Sequence, residues 1–188
     1  MGYHSAGVKV AETASWTGLG WSLMAGGLVS RTTQGIPDDK SSEGYYWGGA
    51  PYDPCQPSAN PDSVRLTVQG AKDGALDAEP DIFHFNFAGY SGKFFFDPNG
   101  TPVLVPNQDI IIEPVTGDVP GQIFDGIRGW KFITPDGTQY FFGGYASTPT
   151  NDLVVDEIEV NGNTELSTWY LINLRSYDNE YNINLSYV

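Results

Sequence analysis

Cysteine is almost missing from this chain. Cys55 stands alone in 188 residues, so no internal disulfide and no multi-cysteine zinc cluster can form. Positive charge is scarce as well. Nine Lys and Arg face 23 Asp and Glu, a net charge of −14, and such a chain repels nucleic acids and anionic membrane surfaces. No stretch reaches the roughly 18 apolar residues of a membrane-spanning helix. The only histidines are His4 and His84, too few for a metal site without converging carboxylates. No Gly-x-Ser-x-Gly elbow occurs, and Cys55 sits in a proline-rich stretch with no base nearby, so nucleophilic catalysis has no footing. Gly18-Leu19-Gly20-Trp21 is no phosphate loop, because Trp21 stands where small residues are needed; it reads as a tight turn holding tryptophans against a sheet. Carboxylate pairs such as Asp38–Asp39 or Asp156–Glu157 are what chance supplies among so many acids, and carry no glycosidase reading. The expectation is a protein that is not an enzyme and needs no cofactor.

What is abundant points to β-structure. The chain holds five Trp, eleven Tyr and ten Phe, with 23 Gly and 13 Pro, while only 17% of residues are charged. Aromatics fit the pleated, half-buried surface of a sheet, and Gly and Pro punctuate turns. Val64, Leu66 and Val68 alternate with polar residues, as do Phe83, Phe85 and Phe87, the period of a half-buried strand. A turn over Gly89–Gly92 leads from the second of these into Phe94-Phe95-Phe96. Further strands are expected at Val103–Val105, Ile110–Ile112, Trp130–Ile133, Tyr140–Phe142, Ile158–Val160 and Trp169–Leu174. Tyr181, Ile183, Leu185 and Tyr187 alternate most cleanly of all, which predicts an edge strand able to pair with a neighbouring strand of a longer protein. Only Leu76–Glu79 could hold a helical turn, which Pro80 stops. The expected fold is all-β, mostly antiparallel and twisted, in one domain over 1–188, as a sandwich or an open sheet.

Three turns recur between strand pairs, around Asp97-Pro98-Asn99-Gly100, Pro135-Asp136-Gly137 and Tyr177-Asp178-Asn179, with the Asp residues 39 and 42 positions apart. Between them and the N-terminal segment, Thr33 to Ser63 is polar, holds five prolines and reads as one long ordered loop. Two ligand readings attach to these loops. Asp38, Asp39 and Glu43, or Asp97, supply hard oxygens for calcium, without the spacing of an EF-hand. Tyr45, Tyr46, Trp47 and Tyr52 could stack on sugar rings, as in a carbohydrate-binding module, or cover a sheet face.

Longer phrases carry a resemblance. Gly18-Leu19-Gly20-Trp21-Ser22-Leu23 is followed by Arg31. Glu79-Pro80-Asp81-Ile82-Phe83 leads to Gly89-Tyr90-Ser91-Gly92-Lys93-Phe94. Thr134-Pro135-Asp136-Gly137-Thr138 precedes Ser167-Thr168-Trp169-Tyr170-Leu171. Together they resemble the N-terminal region of Bacteroidetes-type RHS/YD-repeat proteins. They are more distantly similar to the N-terminal region of toxin-complex B components and of the Salmonella virulence-plasmid B protein. The resemblance covers most of the chain, most weakly at 40–76 and 144–165. It implies a structural segment of an exported, extracellular or cell-surface β-shell, whose partners are other segments of a longer parent chain. Such shells can enclose a C-terminal toxin cargo. Within the resemblance Gly18, Gly20, Trp21, Arg31, Pro80, Asp81, Gly89, Gly92 and Trp169 are the structural motif residues. The quoted phrases do not include the region where the superfamily's self-cleaving Asp residues sit, so self-cleavage is not implied.

Overall fold

The computed structural model describes residues 2–3, 21–22, 26–40, 44–45, 61–72, 79–116, 126–146, 148, 152–160 and 163–187. Strands β1 (Gly2–Tyr3) and β2 (Trp21–Ser22) form a small antiparallel pair. The main sheet begins with β3 (Gly27–Thr32), β4 (Ile82–Phe87), β5 (Tyr90–Phe96) and β6 (Pro102–Val105). It continues with β7 (Ile111–Thr116), β8 (Ile127–Ile133) and β9 (Gln139–Phe142). β10 (Val155–Val160), β11 (Asn163–Arg175) and β12 (Asn182–Asn184) complete it. All are antiparallel, in the order β6-β5-β4-β3-β11-β9-β8-β7, with β10 and β12 joined to β11 off that path. The sheet curls into a nearly closed, barrel-like form. That outcome lies between the two architectures expected from sequence.

The curl has its origin in β11. At Thr168 and Trp169 this strand pairs with β10 on one edge and β3 on the other, whereas at Asn173–Arg175 it pairs with β9 and β12. The register to β9 shifts between Leu171 and Asn173. Such irregularities bend a strand and increase its twist, so the β3–β6 half folds over the β7–β9 half. Between the halves lies an aromatic wall. Phe83 on β4 packs edge-on against Trp130 on β8 at 4.8 Å, Phe87 against Phe132 at 5.0 Å, and Trp130 against Trp169 at 5.6 Å. Each such side chain, fully buried, contributes on the order of 2–3 kcal/mol.

The strand periodicity at 82–87 is realised, with Phe83, Phe85 and Phe87 buried and His84 and Asn86 exposed. Its turn is tighter than expected. Ala88 and Gly89, both at positive φ, form a two-residue connection, the twist-matched hairpin turn, and Tyr90-Ser91-Gly92 already belong to β5. Gly92 faces Phe85, whose ring would lie 2.9 Å from any Cβ there.

Three expectations are corrected. Val64 to Val68 is not a strand but part of α1 (Pro61–Lys72). Pro61 at its start suits a helix that needs no N–H there, and Asp62 in the first turn and Lys72 in the last complement the helix dipole. Those end signals outweigh an alternation only five residues long. The polar segment at 33–63 is therefore not one loop: 33–40 and 44–45 fold as ordered turns, 61–63 open the helix, and 46–60 lie outside the described residues. The clean alternation at Tyr181–Tyr187 yields only the three-residue β12. Both Tyr181 and Ile183 are exposed, while Leu185 packs partly against the core. β12 is hydrogen-bonded along one edge, to β11.

Candidate functional site

Among the described residues, the densest group of ionisable side chains surrounds Arg31. On β3 the inward phase of the pleat holds Val29 and Arg31, so a cation occupies a position that alternation assigns to the core. Its guanidinium lies 5.5 Å above the Trp169 ring, a cation–π contact strengthened by desolvation. Nη1 donates to Asp39 Oδ1 at 2.5 Å and Nη2 to the Leu166 carbonyl at 2.5 Å. The second Asp39 oxygen accepts the Ile127 N–H at 2.8 Å. Asp81, just before β4, lies 3.8 Å from the guanidinium and accepts the N–H groups of Gln34 at 2.7 Å and Asp38 at 3.0 Å. Asp38 returns the bond, taking the Asp81 N–H at 2.9 Å.

The turn after β3 brings the two aspartates into place. Lys40 N–H closes on Pro37 C=O, and Gly44 N–H on Lys40 C=O. A Cβ at Gly44 would strike the Pro37 and Asp38 carbonyls, so only glycine allows this turn to pack so tightly. It ends by seating Tyr45 in the core. The whole group is enclosed: the side chains of Arg31 and Asp81 are 1% and 0% exposed. Burial pushes the Asp81 carboxyl up to about 6, against the lowering effect of the Asp38 and Gln34 N–H groups and of Arg31. Burial also raises Glu165, on β11, despite Arg31.

Chemically the group is a clamp. It joins β3, the following turn, the entry to β4, the start of β8 and β11, segments up to 135 residues apart in sequence. Its bonded donors and acceptors are directed at backbone and at each other. Arg31 Nε is buried without a hydrogen-bond partner among the described residues, and no reactive atom of Arg31 or Asp81 faces solvent. Removing one partner of such a buried pair costs roughly 3–5 kcal/mol.

The calcium reading is corrected here for Asp38 and Asp39: both are buried, Asp39 against a guanidinium that is already a cation, and Asp38 with one oxygen accepting the Asp81 N–H. Glu43 lies outside the described residues. Asp97 is half-buried, and its carboxylate accepts the N–H groups of Thr101 and Asn99 at 2.8 and 2.9 Å; those bonds hold its pKa below the usual carboxylate range. Among the described residues no three His, Cys, Asp or Glu side chains form a metal-binding group. The sugar-stacking reading is corrected at Tyr45, which is only 8% exposed and belongs to the core. Tyr46, Trp47 and Tyr52 lie outside the described residues, as do Gly18, Gly20, His4 and Cys55. Trp21 is in β2, and Pro80 is a half-buried residue leading into Asp81.

The three Asp turns share a frame, though not the one the Asp spacing suggested. Gly100, Gly137 and Asn179, all at positive φ, donate N–H to the carbonyls of Asp97, Thr134 and Ser176. Asp97 therefore occupies the first turn position, whereas Asp136 and Asp178 occupy the third. There the hydroxyls of Thr134 and Ser176 donate to the Asp at 2.6 and 2.5 Å. These bonds lower the pKa of both Asp136 and Asp178.

Ile127 and Leu166, whose backbone completes the clamp, carry no signal in sequence. Arg31 does: an arginine in the inward phase beside Val29 demands a buried anion. Arg128, fully buried on β8 and donating to the Thr148 carbonyl at 2.9 Å, was readable in the same way and was missed. Comparison with protein-family models, curated proteins and solved structures finds no match.

Proposed function

We propose that the chain is a non-catalytic structural segment of an exported β-shell protein of the RHS/YD-repeat type, acting at the cell surface or outside the cell. The observation that carries this reading is the use to which the polar side chains are put. Arg31, Asp38, Asp39 and Asp81 tie distant strands together, and Asp97, Asp136 and Asp178 brace turns. Among the described residues, these side chains are spent on holding a curved sheet. A curved antiparallel wall braced at its turns suits a shell, and strands β6, β7 and β12, each bonded along one edge, are able to accept neighbouring strands of a parent chain. Enclosure of a C-terminal cargo belongs to the same reading.

The test is to express the full-length gene product and image it by electron microscopy. A hollow shell with this segment built into its wall is the expected result. A separate globule tethered outside any shell, or turnover in a hydrolase panel abolished by one carboxylate substitution, overturns the reading.

A further inference from the structure

We infer that the Arg31 cluster is a proton-binding centre, which takes up a proton as its surroundings acidify and thereby holds the curled sheet closed more tightly. Geometry carries the inference. Two carboxyl groups, those of Asp39 and Asp81, face a single buried guanidinium, which is committed at 2.5 Å to Asp39 and stands 3.8 Å from Asp81. The groups facing the cluster come from four elements: Arg31 from β3, Asp38, Asp39 and Lys40 from the following turn, Asp81 from the entry to β4, and Glu165 from β11. With that guanidinium hydrogen-bonded to Asp39, an ionised Asp81 would be buried 3.8 Å from it in a site closed to water, and a proton relieves the surplus charge.

Asp81 is the group that takes it. Its carboxyl is pushed from 3.8 to about 6, chiefly by burial, even with two backbone N–H donors and Arg31 opposing. The folded value lies above the unfolded one. The resulting stabilisation is therefore fully present below the unfolded value of 3.8 and is lost as pH rises through about 6. This is the reverse of an aspartate in an ordinary salt bridge. By the same linkage, acid suppresses any partial opening that exposes Asp81 to water, including release of the turn at 33–40, whose Gln34 and Asp38 N–H groups bond it.

Thermal melts from about pH 7.5 to about pH 5 test this. They are run in about 1 M salt, which screens the self-repulsion that acid would otherwise relieve across the whole acidic surface. The wild-type melting temperature is expected to rise across that interval, D81N to stay flat, and E165Q to keep the rise. A wild-type curve without a rise, or an equal rise in D81N, overturns the proposal. Should D81N fail to fold, carbon-detected NMR titration of the wild-type aspartate carboxyls decides. One midpoint near 6 is expected, and midpoints all below about 4.5, in the ordinary aspartate range, overturn the proposal.

Discussion

Trp169 stands between two regions that close the same sheet by opposite means. On one side its ring meets Phe83 at 6.2 Å and Trp130 at 5.6 Å, part of the aromatic wall. On the other it lies under the Arg31 guanidinium. The wall works through area removed from water, which is non-directional and tolerates exchange of one apolar shape for another of similar volume. The clamp works through a few bonds of fixed direction, and each of its charges is tolerable only while its partners remain. The wall sets how much the fold is worth. The clamp decides which segments meet.

That contrast is strongest at Asp39. D39A removes the carboxylate hydrogen-bonded to Arg31, leaving only Asp81 at 3.8 Å, and leaves the Ile127 N–H without its acceptor; it is expected to cost about 3–5 kcal/mol in urea unfolding. The double change R31M/D39L removes both charges together and should lie nearer the wild type than D39A does. A double variant no more stable than D39A would show that the clamp contributes more than the balancing of its charges.

Gly143 probes the place where the two regions share a backbone. Its φ is +74°, and a Cβ there would lie 2.5 Å from Trp169 Cδ1 and 2.7 Å from the Arg128 carbonyl. G143A is expected to lower stability by about 1–3 kcal/mol from backbone strain alone, with a matching fall in melting temperature. Loss of the near-ultraviolet dichroism of Trp169 should accompany it. F83L, by contrast, keeps an apolar side chain of similar bulk in the wall and should cost less than about 1.5 kcal/mol by the same urea measurement. A cost as large as that of D39A would show the wall to be as direction-dependent as the clamp.

The smallest effect is expected at the turns, and it runs opposite to that of Asp81. The Thr134 hydroxyl and the Thr138 N–H hold the Asp136 pKa below its ordinary value. Asp136 therefore stabilises the fold above the unfolded pKa, and loses that contribution as pH falls through its lower folded value. D136N should melt slightly below the wild type at pH 7, and the difference should vanish in strong acid. Calorimetry at the two pH values reads it directly.

Local pattern was enough for some of this. The alternation of Phe83, Phe85 and Phe87, the aromatic runs at 94–96 and 140–142, and the turn residues Gly100 and Gly137 follow from steric rules acting within a few residues, and each is where those rules put it. The helix over Pro61–Lys72 was written in its end residues and obscured by a brief alternation. At Tyr181–Tyr187 the alternation was longer than the strand, which is only Asn182–Asn184, because how far a strand runs depends on what lies beside it.

The sequence by itself determined a charge-poor, aromatic-rich antiparallel sheet with glycine and aspartate turns, since strand period and turn chemistry are short-range properties. Only the tertiary structure decided that the sheet curls about β11. It alone brought Asp38, Asp39 and Asp81, two of them read as calcium ligands, around Arg31. It alone placed Tyr45 in the core. Those outcomes rest on contacts between residues tens to more than a hundred positions apart, such as Arg31 with Leu166. The acidity of Asp81 belongs with them, because desolvation depends on every segment that closes over the group and not on its neighbours in sequence.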